Sequence, residues 1–263
     1  MWNKKLILII CAFILPFIVF AQNGDDDSGI DTKTLSYGLT TNNYSSLLGG
    51  VILRNSFPVS KRKNNPVNRY ISVEAINLKN PREQNILSAY GSKFVYGKTN
   101  YFFSIRPQYG REYYFFQKDD ENSIGFSVIV AGGPSIGLSK PYYIKYTNSK
   151  GDSPQTVQYN PDIQTNASYI IGAGNILQNL FTGLKFNPGL HAKIAANIDI
   201  STFNNNVTGV EIGTLFEAFA KKPEILAPKF SDNPQTFATL YLTLYFGNKK
   251  LVKNKKNGSK GTK

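Results

Sequence analysis

The sequence predicts an all-β protein: an eight-stranded antiparallel up-and-down transmembrane β-barrel with long external loops, one of which is expected to carry a short helix. Three observations predict it: a secretory signal at the N-terminus, no cysteine beyond that signal, and eight segments in which apolar and polar residues alternate. The last segment, Thr236 to Gly247, shows the alternation best. Ala238, Leu240, Leu242, Leu244 and Phe246 share one parity, expected to face lipid, and Thr239, Tyr241, Thr243 and Tyr245 share the other. A period of two marks a strand with one apolar and one wetter face. The segment matches the ~9–11 residues with which a tilted strand crosses a bilayer. Phe237, Tyr245 and Phe246 near its ends suit the aromatic girdles of a membrane barrel.

The signal comprises Lys4 and Lys5, the apolar run Leu6 to Phe20, and a cleavage site at Val19-Phe20-Ala21, so residues 1–21 are expected to leave and Gln22 to begin the mature chain. Cys11 lies within the run. Ile10 stands where a lipoprotein site would need a small residue, so Cys11 leaves with the signal. That excludes a disulfide framework and a thiolate metal site. No later apolar run approaches the ~18 residues of a membrane-spanning helix. The formal charge is +13; without the two signal lysines and the seven lysines after Gly247, the body keeps +4. The basic character thus belongs to a solvated tail, which favours anionic headgroups or an acidic partner over nucleic acid.

Residues 22–32 are polar and acidic and read as a flexible leader; Asp25, Asp26 and Asp27 lack the spaced ligands of a calcium loop. The barrel is expected over residues 33–247. Its strands, by alternation and turn residues, are Lys33–Thr41, Ser46–Ser56, Arg69–Leu78, Asn100–Phe116, a fifth from Ser123 toward Lys145, Pro188–Ser201, Val207–Ala220 and Thr236–Gly247. The fifth contains Ala131–Gly137, A-G-G-P-S-I-G, where Pro134 cannot donate to a ladder, so a bulge or bend is expected there. A helix start is expected at Asn80-Pro81, and a short helix within Tyr169–Leu184, where Ile176, Leu177, Leu180 and Phe181 have helical spacing. Residues 248–263 read as a basic, disordered periplasmic tail. With both termini periplasmic, the long segments Lys79–Thr99, Tyr146–Asn187 and Lys221–Gln235 become external loops. Long outer loops and short periplasmic turns are the habit of outer-membrane barrels; the connection Phe57–Asn68 departs from it.

The inward parity collects Glu74, Arg106, Glu112, His191, Lys193, Asp199, Glu211 and Glu217, with Arg54 as a further candidate. Isolated charges in such an interior cost several kcal/mol, so they are expected to pair or stay hydrated. An eight-stranded barrel is wide enough for its own side chains or one small ligand, which disfavours a general porin. His191 is the sole histidine. Ser127, Ser135, Asp199 and Glu211 could partner it, but no local signature marks a nucleophile. No catalytic residue, metal site or cofactor is expected.

The chain resembles a group of small, uncharacterised outer-membrane β-barrel proteins of Bacteroidota. The resemblance lies in the signal ending F-A-Q and in T-T-N-N-Y-S-S-L-L-G-G at 40–50. It continues in K-T-N-Y-F-F-S-I-R-P-Q-Y-G-R at 98–111, A-G-G-P-S-I-G-L-S-K-P-Y-Y at 131–143 and L-Y-F-G-N-K-K at 244–250. It implies the fold and the outer membrane as location. It also suggests a non-enzymatic structural or accessory subunit of an outer-membrane assembly or secretion complex, with outer-membrane lipids and other subunits as partners. The alternative is a small-solute channel or a lipid-modifying enzyme that uses the lumen and loops. The C-terminus departs from the usual barrel ending, because seventeen residues follow Phe246. A charge at Leu242 is expected to cost ~2–4 kcal/mol at mid-bilayer, and a charge at Thr243 to be tolerated better.

Overall fold

The computed structural model describes residues 31–45, 48–60, 66–116, 124–147, 153–176, 182–201 and 206–252. They hold thirteen strands: β1 (Asp31–Asn42), β2 (Gly50–Ser60), β3 (Val67–Leu78), β4 (Asn85–Leu87), β5 (Lys93–Val95), β6 (Asn100–Phe116), β7 (Gly125–Pro141), β8 (Tyr143–Tyr146), β9 (Gln155–Gln158), β10 (Ile170–Ala173), β11 (Lys185–Asp199), β12 (Asn206–Phe219) and β13 (Thr236–Val252). Eight of these close into an antiparallel barrel in the order β1-β13-β12-β11-β7-β6-β3-β2. The eight expected strands are these eight.

The alternation read from the sequence becomes the two faces of the wall. On β13 Phe237, Thr239, Tyr241, Thr243 and Tyr245 are buried inside, while Leu240, Leu242, Leu244 and Phe246 are among the exposed large apolar residues. Ala238 is exposed beside them. Leu35, Leu53, Val73, Val130, Leu190, Ile194, Ile212 and Phe216 continue this apolar outer surface around the wall. Closure removes every free edge of the main sheet. The last seam is tight: a methyl group at Gly247 of β13 would lie 2.1 Å from the Leu35 carbonyl oxygen of β1.

Several boundaries differ from expectation. β2 starts at Gly50 rather than Ser46 and runs to Ser60, with an irregularity between Pro58 and Ser60 that accommodates the missing proline N–H. The unusually long connection after it therefore shortens to residues 61–66. β13 continues to Val252, so residues 248–252 are strand rather than the start of the tail. Residues 1–30 and 253–263, with the signal, most of the leader and the rest of the tail, lie outside the described residues.

The segment 131–137 is not a bulge. β7 pairs with β11 without a shift from Ser139 to Gly125. On its other side the pairing stops after Ile105↔Ile136 and resumes in the same register at Tyr109↔Gly132. Pro107 and Pro134 fall in this gap, and neither can donate to the ladder.

The helix expected at Asn80 does not form, and the core of the one expected within Tyr169–Leu184 falls on residues 177–181, outside the described residues. At Asn80 the chain makes a turn in which the Arg82 N–H donates to Asn80 Oδ1 at 2.9 Å, so the asparagine closes a local ring instead of opening a helix. Ile170–Ala173 is strand β10, preceded by a single 3-10 turn at Ala167–Tyr169. Ile176 lies in a turn, and Leu177, Leu180 and Phe181 lie outside the described residues.

Lumen-facing glycines make room for rings on neighbouring strands. Gly213 and Gly209 of β12 are the register partners of Tyr241 and Tyr245 of β13. A methyl group at Gly213 would lie 2.6 Å from the Ala195 methyl and 2.8 Å from the Tyr241 hydroxyl. Gly213→Val should therefore destabilise the barrel by about 1–3 kcal/mol through overpacking. Urea titration of the folded, heat-modifiable form checks it.

Candidate functional site

The inner strand positions bring most of the expected charges together in two layers. In the layer nearer the loops, Arg106 Nε and Nη2 donate to Glu217 Oε1 and Oε2 at 3.0 and 2.6 Å, and Nη1 donates to Glu74 at 3.2 Å. Ser104 adds a bond to Glu217 at 2.7 Å. Gln108 donates to Glu74 at 3.3 Å and accepts from Ser72 at 2.8 Å. The two-pronged Arg106–Glu217 contact uses the planar fork of the guanidinium, which fixes direction as well as charge.

Nearer the chain termini, Arg54 joins Glu211 at 2.9 Å and approaches Glu112 at 3.8 Å. Lys193 donates to Glu211 at 2.8 Å and to the Tyr70 hydroxyl at 2.9 Å, and Tyr241 donates to Glu211 at 2.6 Å. Glu112 also accepts from Ser56, Ser127 and Asn197 at 2.7, 2.8 and 3.1 Å. The Arg54 guanidinium lies 3.9 Å from the Tyr245 ring centroid. Both glutamates are fully buried.

Asp199 stands apart from these layers. It lies half-buried at the rim, bound to Lys249 at 3.0 Å and to Ser201. Arg54, weighed only as a further candidate in the sequence, is the hub of the second layer. Ser56, Tyr70, Gln108, Ser127 and Tyr241 were missed as participants, although their parity gives the signal that could have found them.

His191 meets Ser135 through Nδ1 at 2.9 Å. Its register partner is Glu217, which Arg106 and Ser104 already engage, and its Nε2 makes no hydrogen bond. Ser135 is 2% exposed. The pair therefore has neither the orienting carboxylate of a hydrolytic triad nor access for a substrate.

Above the charged layers the mouth is sealed. Ile76, Leu78, Phe102, Phe219 and Phe237 form an apolar layer beneath Ile225 of the loop 220–235. Phe102 meets Phe219 edge-on, with centroids 4.9 Å apart. The long loops then fold on one another. β10, β8 and β9 make a three-stranded sheet, and β4 and β5 a hairpin. Phe94, Tyr142, Ile144, Tyr159 and Ile170 form the core of this cap. Ser88 of the hairpin donates to Ile171 O at 2.6 Å, and Ala227 N–H to Gly97 O at 2.8 Å. Burial raises the Tyr159 phenol to about 12.

A cleft of about 380 Å³ opens at the base of the cap, lined in part by Tyr44, Glu83, Lys93, Lys98 and Tyr101. Lys98 is 2% exposed. Both Glu83 oxygens accept from it at 2.8 Å. Burial, the largest effect, lowers the Lys98 ammonium below the ordinary lysine range against the pull of Glu83. Among the described residues no group of His, Cys, Asp and Glu could hold a metal ion.

No family model and no curated protein sequence matches the chain. Solved structures with a similar course include the attachment invasion locus protein Ail of Yersinia pestis, in complex with the heparin analogue sucrose octasulfate. It is 10% identical, covers 84% of this chain and 100% of its own, and has a TM-score of 0.36. Neisserial surface protein A is 8% identical, covers 87% and 100%, and has a TM-score of 0.38. Likenesses this weak carry no functional inference, and the barrel assignment rests on the strand pairing of this chain.

Arg106→Met leaves Glu217 and Glu74 buried without their cation and should cost about 3–5 kcal/mol. Changing Glu217 to Leu and Glu74 to Gln in the same chain should return most of that loss. Urea midpoints of the wild type and the two variants refolded in vesicles check both statements.

Proposed function

We propose that the chain is an integral outer-membrane barrel with both termini in the periplasm, acting as a non-enzymatic structural or accessory subunit of an assembly or secretion complex. The observation that carries this reading is the pairing of a packed interior with a folded cap. A wall that exposes Leu190 at 70%, Leu240 at 61% and Phe216 at 56% suits hydrocarbon rather than water. With the secretory signal, such a wall points to the outer membrane.

The interior offers little to a solute or substrate, which weighs against the channel and enzyme alternatives. The cap presents recognition features instead. Leu87, Tyr90 and Ile163 are exposed apolar side chains on it. β9 is an outer strand of the cap sheet, a form that other chains can extend by strand addition. Its partners on this reading are outer-membrane lipids and other subunits of the complex.

Pull-down from native membranes tests the role. Stoichiometric partners should come down with the intact chain and be lost when residues 153–160 are replaced by a Gly-Ser linker. A chain that leaves native membranes alone would sink the accessory reading.

The wall has its own test, and one expectation changes here. Thr243 is fully buried, its hydroxyl 2.8 Å from that of Thr40, so a charge there is not the mild control expected from the sequence. Leu242→Arg should cost about 2–4 kcal/mol in vesicles, whereas Ser153→Arg on the exposed cap should leave the urea midpoint unchanged.

A further inference from the structure

The cleft at the base of the cap gathers side chains from separate parts of the chain. The β1–β2 turn brings Tyr44, the segment after β3 brings Glu83, the β4–β5 hairpin brings Asn85 and Lys93, and the start of β6 brings Tyr101. Its volume of about 380 Å³ lies within the ~300–1,000 Å³ typical of small-ligand sites.

Glu83 is held in a defined orientation. Lys98 donates to both of its oxygens at 2.8 Å, and the Asn80 N–H reaches Oε1 at 3.4 Å. A carboxylate offers about four lone-pair positions, so these bonds leave acceptor capacity on Oε2. The buried Lys98 ammonium also lies 4.8 Å from the Tyr101 ring centroid, so the carboxylate and the ring flank one cation. Asn85 and Lys93 are exposed and share one face of the hairpin, since Asn85 pairs with Val95 and Leu87 with Lys93. They bring an amide and an ammonium, both donors, to the cleft. Tyr44 and Tyr101 are half-buried and add aromatic surface.

This mixture selects a class of ligand. An anion would meet the Glu83 carboxylate, and a cation would meet Lys79, Lys93 and Lys98. A polyhydroxylated ring avoids both conflicts, because each hydroxyl donates to a carboxylate or accepts from an amide or ammonium. The C–H faces of a pyranose also pack on the negative faces of tyrosine rings.

We infer that the cleft binds a pyranose unit of a neutral glycan. A sugar hydroxyl donates to Glu83 Oε2, Asn85 and Lys93 donate to hydroxyl oxygens, and the Tyr101 ring lies against the sugar. Lys98 is a positioning residue for the carboxylate. The site is separate from strand addition at β9 and stands or falls independently of the accessory role.

The test uses the full chain in lauryldimethylamine oxide micelles, which present no sugar headgroup. A glycan array carries neutral oligosaccharides of glucose, galactose, mannose and N-acetylglucosamine beside their sulfated counterparts. Wild type should bind at least one neutral glycan saturably and keep that binding in high salt. Ala173 is exposed and lines the cleft, so Ala173→Trp should abolish binding by filling it. Asn85→Ala should weaken binding about fivefold, and Ser153→Arg elsewhere on the cap should leave it unchanged. Failure to bind any neutral glycan overturns the proposal, as does binding confined to sulfated glycans and lost in high salt. Full binding by a folded Ala173→Trp chain does the same. If that variant fails to fold, Asn85→Ala decides, and unchanged affinity there overturns the proposal.

Discussion

Eight strands closed on themselves leave an interior that side chains alone can fill, and charges placed there have little water to fall back on. The rest of the structure follows from that constraint. Glu74, Glu112, Glu211 and Glu217 face inward with Arg54, Arg106 and Lys193, and each carboxylate meets a cation or a set of neutral donors. Breaking one such contact leaves an uncompensated buried charge, whereas the intact set adds less net stability than its count of bonds suggests. What the set does supply is direction. Arg106 joins β6 to β12, and Arg54 joins β2 to β6 and β12. These contacts cross the lumen rather than following the wall and so favour one register of closure.

The polar filling and the apolar mouth divide the barrel along its length. Toward the termini the interior is charged and hydroxyl-rich; toward the loops it turns aromatic, with Phe102, Phe219 and Phe237 packed beneath Ile225. The cap grows from that apolar layer. Tyr142, just after β7, accepts from the Val95 N–H at 3.1 Å and so ties the barrel end to the β4–β5 hairpin. Described segments of two of the long loops therefore pack into a second small core.

The sequence made the barrel strands legible because apolar and polar residues alternate along them: the nine residues from Ala238 to Phe246 state both the strand and its orientation. Pairing inside the lumen was less legible. Arg106 and Glu217 are 111 positions apart, and parity alone says that each points inward, not which carboxylate meets which cation. Arg54 was weighed for its charge but emerges as a hub only once β2, β6 and β12 converge. The cap was hidden for another reason. β8, β9 and β10 have four residues each, too few for a period to declare itself. The start of the segment after Tyr169 is held as strand by tertiary contact, since Ile170 enters the cap core and Gly172 packs so closely on Ser92 that a methyl group would lie 2.6 Å from its Cβ.

A sealed interior, an apolar wall and a folded cap leave the outer surface, rather than the lumen, as the place where the proposed function would be exercised. The sealing is the central claim, and planar-bilayer recording tests it most directly. Wild-type protein should give no conductance steps above the protein-free baseline, whereas Arg54→Ala/Arg106→Ala/Glu217→Ala, which opens space in both charged layers, should give resolved steps if it inserts. Steady, resolved openings from the wild-type chain would contradict the account.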